Sequence, residues 1–420
     1  MKSFIKFTFL VVLLNGINLG IKAQFGWDPQ LSNSFEKLSS TCFVDANTGW
    51  IAGDYGTILF TEDGGETWVA QSSNTTSALT SVFFISPSEG WIAGADGVIL
   101  HTEDSGNNWE NQVSGVTEYL YDIQFINQYM GWSFGSNAKF IQTTDGGVSW
   151  EPLPNLPDVT RSLYFISETE GWCGANMGSM YHTLDGGQSW TFQETGSFEG
   201  FFAIYFVNQN KGWAVGSGGV TIRTQDGGEN WEIVYALGSD FLYSVSFVDE
   251  NEGWAVGRFG FVIHTIDGGA TWNFQNSGTG VNLEEIFMVD ENNGWIAGDA
   301  GTILHTSTGG NLGISLHSAG EACSGQLMLH QNFPNPFHNQ TSIRFEIPKN
   351  NKTSKEVSLQ IYSLDGRLIT TLYHGYLKNG SYVLHWDGKT LSGNNADAGV
   401  YMVKLDYGSL FKFLKITRIE

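Results

Sequence analysis

The sequence predicts an all-β protein: a seven-bladed β-propeller followed by a small Ig-like β-sandwich. Three observations predict it. A Gly-Trp pair recurs every 40 or 41 residues, an Asp-Gly-Gly hairpin motif follows it at a fixed distance, and longer alternating strands begin after residue 326. Self-similarity at such a period marks repeat architectures, and blades of four short strands recur at about 40–45 residues.

The first element is a leader. Lys2 and Lys6 precede an apolar run from Phe7 to Leu14, and Ile21-Lys22-Ala23 is a small-residue cleavage pattern, so residues 1–23 read as a secretory signal cut after Ala23. A membrane anchor needs about 20 apolar residues, and no stretch of the chain supplies them. No Cys follows the cleavage point, which argues against lipidation there.

The repeats occupy residues 24–313. Their Gly-Trp tryptophans are Trp50, Trp91, Trp132, Trp172, Trp213, Trp254 and Trp295. Eighteen residues after each of the first six ends a second motif, from TEDGGETW (61–68) to TIDGGATW (265–272). Within a unit, as in LTSVFFI, GWIAGADG, VILHTED and NNWENQ, the apolar residues alternate with period two and turn signals intervene. That is four antiparallel strands, A to D. Gly94 and Gly97 bracket a B–C turn, and the Asp-Gly-Gly element makes the C–D hairpin, where positive φ is needed.

The seventh unit is incomplete: in TSTGGNLG (306–313), Thr308 replaces the Asp and Gly313 the Trp. FGWDPQ at the start aligns with strand D of other units, such as ATWNFQ, so Trp27 is expected to close the ring from the N-terminal end. A linear solenoid would leave both end units with an apolar face in water, whereas closure buries both and pairs an open edge.

A Gly/Ser-containing linker (314–326) leads to residues 327–420, where VSLQIYS, RLITTLY, SYVLHW, GVYMVKLD and LFKFLKIT alternate as strands of a sandwich, with Asp365-Gly366 as a hairpin turn.

Composition limits partners. Residues 24–320 hold 6 basic and 35 acidic residues (net −29), against +3 for residues 321–420. Such an acidic body repels phosphate backbones and anionic lipid, so no nucleic acid partner is expected. Cys42, Cys173 and Cys323 are too few for a disulfide scaffold, and Cys42 and Cys173 read as buried, inert thiols. A monomer without cofactor or metal is expected.

The motif T-x-D-G-G-x-[ST]-W resembles the Asp-box of sialidase-type (BNR) propellers. With the Gly-Trp pairs, residues 24–313 look like the propeller family named after photosystem II stability/assembly factors. The resemblance implies the fold; nothing in these residues points to chlorophyll proteins. Asp63, Asp104, Asp145, Asp185, Asp226 and Asp267 are expected to be structural, each accepting backbone N–H groups across its hairpin. Six copies at blade peripheries cannot form one site. A–B turns such as VDENEG (248–253) lack the ligand count of a calcium loop. His101, His182, His264 and His305 share a strand C position and are held apart on separate blades.

Candidate recognition residues come from a position that varies. Eleven residues before each Gly-Trp tryptophan stand Ser39, Thr80, Tyr121, Arg161, Phe202, Tyr243 and Glu284, expected beside the central opening on the face of the D–A connections. Of these, Tyr121, Arg161, Phe202, Tyr243 and Glu284 suit binding of an extracellular protein or carbohydrate. No catalytic residue is expected. Sialidases use three clustered arginines, but Arg161, Arg223 and Arg258 fall in a D–A connection, strand C and a B–C turn. An Asp-box glycoside hydrolase would instead need a carboxylate pair, for which Asp122 and Glu285 share an inner-strand position but lie on blades across the ring.

In residues 327–420, the Asn-Phe-Pro-Asn-Pro-Phe opening, IYSLDGRLI, GSYVLHWDG, AGVYMVKL and a basic last strand resemble the type A sorting domain of the type IX (Por) secretion system. That resemblance implies an export address read by the secretion machinery and a secreted or outer-membrane cell-surface protein.

Overall fold

In a computed structural model, the described residues are 26–157, 159–235, 241–310, 327–348, 355–364, 366–377, 380–390, 394–408 and 410–419. The expected signal peptide, the linker, Gly313 and Cys323 lie outside them. Seven four-stranded antiparallel sheets are followed by a two-sheet domain.

Blade one shows the pattern: Leu38–Phe43 innermost, then Gly49–Gly53, Thr57–Thr61 and Val69–Ser72. The innermost strands of the others are Leu79–Phe84, Leu120–Phe125, Thr160–Phe165, Phe201–Phe206, Leu242–Phe247 and Leu283–Met288. Arg161 therefore lies in the first strand of blade four, not in the preceding connection, because the strand begins one residue earlier, at Thr160.

The Gly-Trp pair builds the seams. A Cβ on Gly49 would run into the ring of Phe43, which closes over that point. The same ring stacks on the Gly-Trp indole of the preceding blade: Phe43 on Trp295 at 3.6 Å, Phe84 on Trp50 at 3.5 Å, Phe125 on Trp91 at 3.7 Å. Each such pair adds about 0.5–1.5 kcal/mol beyond its burial. Every Gly-Trp indole also donates to a hairpin carbonyl of the next blade, from Trp50 to Ser105 at 3.1 Å round to Trp295 to Gly64 at 3.1 Å.

Blade seven consists of Leu283–Met288, Asn293–Gly298 and Ile303–Ser307, with Asp28–Gln30 as its outermost strand; Asp28 pairs with His305 and Gln30 with Ile303. Trp27 is fully buried and its indole donates to Gln275 at 3.0 Å. Trp68 does the same to Gln30, Trp109 to Gln71 and Trp150 to Gln112, each at 3.1 Å. Trp27 thus fills the hairpin-tryptophan position of blade seven from the other end of the chain.

In the second domain, Met328–Leu329, Thr341–Ile347 and Gly380–Trp386 form one sheet. Leu368–Leu377, Lys355–Ser363, Gly399–Tyr407 and Leu410–Arg418, in that order, form the other. Alternate residues such as Val357, Leu359, Ile361, Val403 and Leu405 fill the space between them. The Asn-Phe-Pro-Asn-Pro-Phe segment packs onto this core. Phe337 is buried edge-on against Trp386 at 5.4 Å, Asn332 donates to Thr341 at 2.8 Å, and Asn335 accepts the Thr417 N–H of the last strand at 2.9 Å.

Candidate recognition site at the channel mouth

The innermost strands present their open edges to a central cavity of about 560 Å³, which all seven ring residues line. Around it, Tyr121, Arg161, Phe202 and Tyr243 occupy four consecutive blades, followed by Glu284, Ser39 and Thr80. The mouth is lopsided: aromatic and cationic on one side, small and polar on the other. Thr80 is engaged, donating to Ala93 and Leu120 carbonyls at 3.0 and 2.8 Å. Glu284 pairs with Lys37 at 2.8 Å. Burial works against the Lys37 ammonium, but the Glu284 hydrogen bond and charge outweigh it and raise its pKa. Tyr243 is raised by burial and by the Glu284 charge.

On the aromatic side, Phe202 stacks on Phe241 at 6.0 Å and meets Tyr243 at 6.2 Å. Arg258 lies over Phe259 at 4.4 Å and near Phe241 at 5.7 Å, within cation–π range. Tyr121 contacts Tyr119 at 5.6 Å.

The B–C turns add residues that sequence reasoning missed. The tip of every turn has left-handed backbone: Tyr55, Asp96, Asn137, Met177, Gly218, Phe259 and Ala300, with φ from 55° to 62°. Glycine adopts this conformation freely and bulky residues at a cost, yet Tyr55, Met177 and Phe259 stand there 73%, 78% and 61% exposed. Gly218, Asn137 and Asp96 were the available signals, since these residue types favour the conformation, whereas Tyr55, Met177, Phe259 and Ala300 do not announce it.

Beneath the mouth, the open edges are satisfied across the seams. Ser40 accepts the Val82 N–H at 3.0 Å, Ser244 the Ile286 N–H at 3.3 Å, and Glu285 the Thr41 N–H at 2.6 Å. Ser81 donates to Asp122 at 2.5 Å. Glu285 reaches toward blade one and Asp122 toward blade two, and the Asp122 charge bears on Glu285 although the two carboxylates stand on separate blades. Burial pushes Glu285 up to about 8 against hydrogen bonds from Ser40 and Thr41, and the Asp122 charge adds to the rise. Burial likewise raises Asp122 against its bonds from Ser81 and Ile123.

The six Asp-box carboxylates are spent internally, at the opposite rim. In blade four, Asp185 accepts the Ser189 hydroxyl at 2.6 Å and N–H at 2.9 Å, and the Thr183 hydroxyl at 2.8 Å. These bonds, the Ser189 hydroxyl first, lower its pKa to about 2. Asp63, Asp145 and Asp267 make the same set, Asp104 and Asp226 accept the Asn108 and Asn230 amides in place of the hydroxyl, and all five are lowered too. His101, His182 and His264 stack on their own blade's Gly-Trp ring at 4.8, 4.7 and 4.4 Å. They face Glu89, Glu170 and Glu252 at 3.8, 3.2 and 3.0 Å. Cys42 and Cys173 are buried free thiols, both pushed up by burial, Cys42 to about 12. Among the described residues, no three His, Cys, Asp or Glu side chains are grouped to hold a metal, and no helix is long and apolar enough to cross a membrane.

Seven Gly-Trp blades with internally bonded Asp-boxes define a BNR-type propeller. Residues 23–114, 111–197, 193–274 and 237–317 match the family described as photosynthesis system II assembly factor YCF48, and the chain belongs to that family. Residues 337–409 match the FlgD Ig-like domain. Among curated proteins, none matches the chain by sequence.

Solved structures share the fold. YCF48 bound to D1 peptide is 23% identical, with 67% of this chain and 95% of that one covered and a TM-score of 0.59. YCF48 from Cyanidioschyzon merolae is 21% identical, covering 67% and 98%, with a TM-score of 0.58. PorZ, a bacterial surface component of the type-IX secretion system of Porphyromonas gingivalis, is 12% identical, covering 92% of this chain and 60% of that one, with a TM-score of 0.52.

Proposed function

We propose that the protein is a secreted or cell-surface propeller, without chemistry of its own, that binds an extended peptide segment of an extracellular partner across the channel mouth. The observation that carries this reading is a charge imbalance. Of the six cations in residues 24–320, Lys37, Lys139, Lys211 and Arg223 each pair with a carboxylate: Glu284, Glu118, Glu250 and Glu232. Arg161 and Arg258 have no carboxylate within ion-pair distance among the described residues. Arg161 reaches only Asn176, at 3.4 Å, and Arg258 lies on aromatic faces. In so acidic a body, two guanidiniums without a carboxylate among the described residues, one of them on aromatic faces, favour a partner segment with a carboxylate and apolar or aromatic side chains. That the similar YCF48 fold is solved with a peptide supports the same mode.

A displayed peptide library panned on the full chain tests this. Enrichment of acidic–aromatic segments supports the reading, whereas binding only to a glycan panel replaces the peptide with a carbohydrate.

The second half of the proposal is that residues 327–420 are a type IX secretion address. Their motif order and the likeness to PorZ, itself a component of that system, support it. Mass spectrometry of protein exported by its native host is expected to find a mature chain lacking the residues beyond about 326. A full-length exported chain would mean that the sandwich is a working module instead.

A glycoside hydrolase is the competing reading, resting on two channel carboxylates, Asp122 and Glu285, the first of which bears electrostatically on the second. Both are half-buried and hydrogen-bonded within the fold, which favours a structural role. Hydrolysis of any member of a glycan panel, abolished by Asp122→Asn, would establish the competitor.

A further inference from the structure

Strand D is the outermost strand of each blade, so its outer edge carries backbone N–H and C=O groups with no neighbour inside the sheet. In blades one to five, the two residues that follow the hairpin tryptophan are exposed on that strand. Blade six departs from this. Asn273 and Phe274 are half-buried, and Gln275 is buried where Gln71, Gln112 and Gln193 are only half-buried. Packing within the blade does not explain the change. Phe274 meets Phe261 at 5.3 Å and Phe192 of blade four meets Tyr181 at 5.5 Å, yet Phe192 is 52% exposed.

The cover comes from the second domain. Leu368–Leu377, an edge strand of its four-stranded sheet, lies alongside Asn273–Asn276. At Gly375 the approach is so close that a Cβ would stand 2.8 Å from the Asn273 Oδ1 and 3.0 Å from the Tyr373 hydroxyl. Gly375 is buried although its strand is a sheet edge, and it does not have the positive φ that would call for glycine. The missing side chain therefore serves the approach. Residue type on the other side agrees. At the Asn273 position four of the other six blades carry a carboxylate, Asp28, Glu110, Glu151 and Glu232, and blade six has a neutral amide where a second backbone comes in.

We propose that the outer edge of blade six is a docking surface for the second domain, closed by the strand Leu368–Leu377 with Gly375 against Asn273. Two open edges then cover each other, which blunts both against pairing with other chains. The opposite net charges of propeller and second domain favour the approach at longer range. The docked domain lies on the flank of the ring and leaves the channel mouth clear, and the open edge left in its four-stranded sheet is Leu410–Arg418. The docking holds whether or not residues 327–420 are an export address.

Hydrogen exchange of the full chain, followed by mass spectrometry, tests this when each variant is read on the domain it leaves unchanged. Asn273→Glu copies blades two, three and five, and so retains the fold; it should speed exchange in residues 368–377 severalfold. Gly375→Val suits an extended strand and should speed exchange in residues 273–276, while the neighbouring strand Lys355–Ser363 stays protected. Thr191→Glu, at the matching position of blade four, should change neither segment. Unchanged exchange at 368–377 in Asn273→Glu overturns the docking, whatever Gly375→Val does, and so does an equal acceleration in Thr191→Glu.

Discussion

On one rim of the propeller, Asp63, Asp104, Asp145, Asp185, Asp226 and Asp267 accept the same bonds in six blades, so that their carboxylates are consumed by their own hairpins. On the other rim, the same seven-fold backbone presents Tyr55, Asp96, Asn137, Met177, Gly218, Phe259 and Ala300 at its turn tips and an equally varied ring behind them. Polar chemistry that repeats is consumed within each hairpin, whereas among the residues that break the repeat Arg161 and Arg258 are left without a carboxylate among the described residues. The Asp-box is the conspicuous motif, yet the unpaired guanidiniums lie at the other end of the channel.

The comparison can be broken at its foundation. Trp27→Ala removes a fully buried indole from the blade that the two chain ends share and is expected to cost about 3–5 kcal/mol, measured by denaturant unfolding. An unchanged midpoint would mean that the ring holds without its N-terminal strand. Next in size, the pair Arg161→Ala and Arg258→Ala should weaken peptide binding at least about tenfold, one lost charge-assisted contact being about 1.5–3 kcal/mol, while the melting temperature stays put. A comparable loss of stability would turn those arginines into structural residues.

Acid probes the structural rim. The folded Asp-box carboxylates titrate below their unfolded values, so their contribution is present above about pH 4. It is lost as pH falls through the lowered values, near 2 for Asp185. Melting temperature should therefore decline between those limits. Exposed hydrogen bonds of this kind are individually small, so Asp185→Asn alone should flatten the decline only slightly. The smallest effect is the most discriminating: Phe259→Gly relieves left-handed backbone and should stabilise by up to about 1 kcal/mol, yet weaken binding by removing the face on which Arg258 lies. A variant that loses stability instead would place Phe259 in the packing of the fold.

The tryptophan spacing made the blades legible, and the place of Trp27 one period before Trp68 made the shared blade legible, because both follow from a fixed repeat length. The ring from Ser39 to Glu284 was legible for the same reason. The turn tips were not, since left-handed backbone at Tyr55 or Phe259 is imposed by the two-residue bracket around it and leaves no mark in residue type. Nor were the bonds of Glu285 and Asp122 to the neighbouring blades, Glu285 to Ser40 and Thr41 and Asp122 to Ser81, since a repeat position does not state the direction of its side chain. The His–Glu pairs escaped notice because each joins residues twelve apart, on strands whose register the sequence does not state.

The most direct measurement is a fluorescence titration of the full chain with a labelled acidic–aromatic peptide selected from the library. It is run in parallel on the wild type, the Arg161→Ala/Arg258→Ala variant and an Asp185→Asn variant. The predicted result is saturable binding that the arginine variant loses and the Asp-box variant keeps. Binding that survives in the arginine variant, or that disappears with Asp185, would contradict the assignment of recognition to the varied rim and structure to the repeated one.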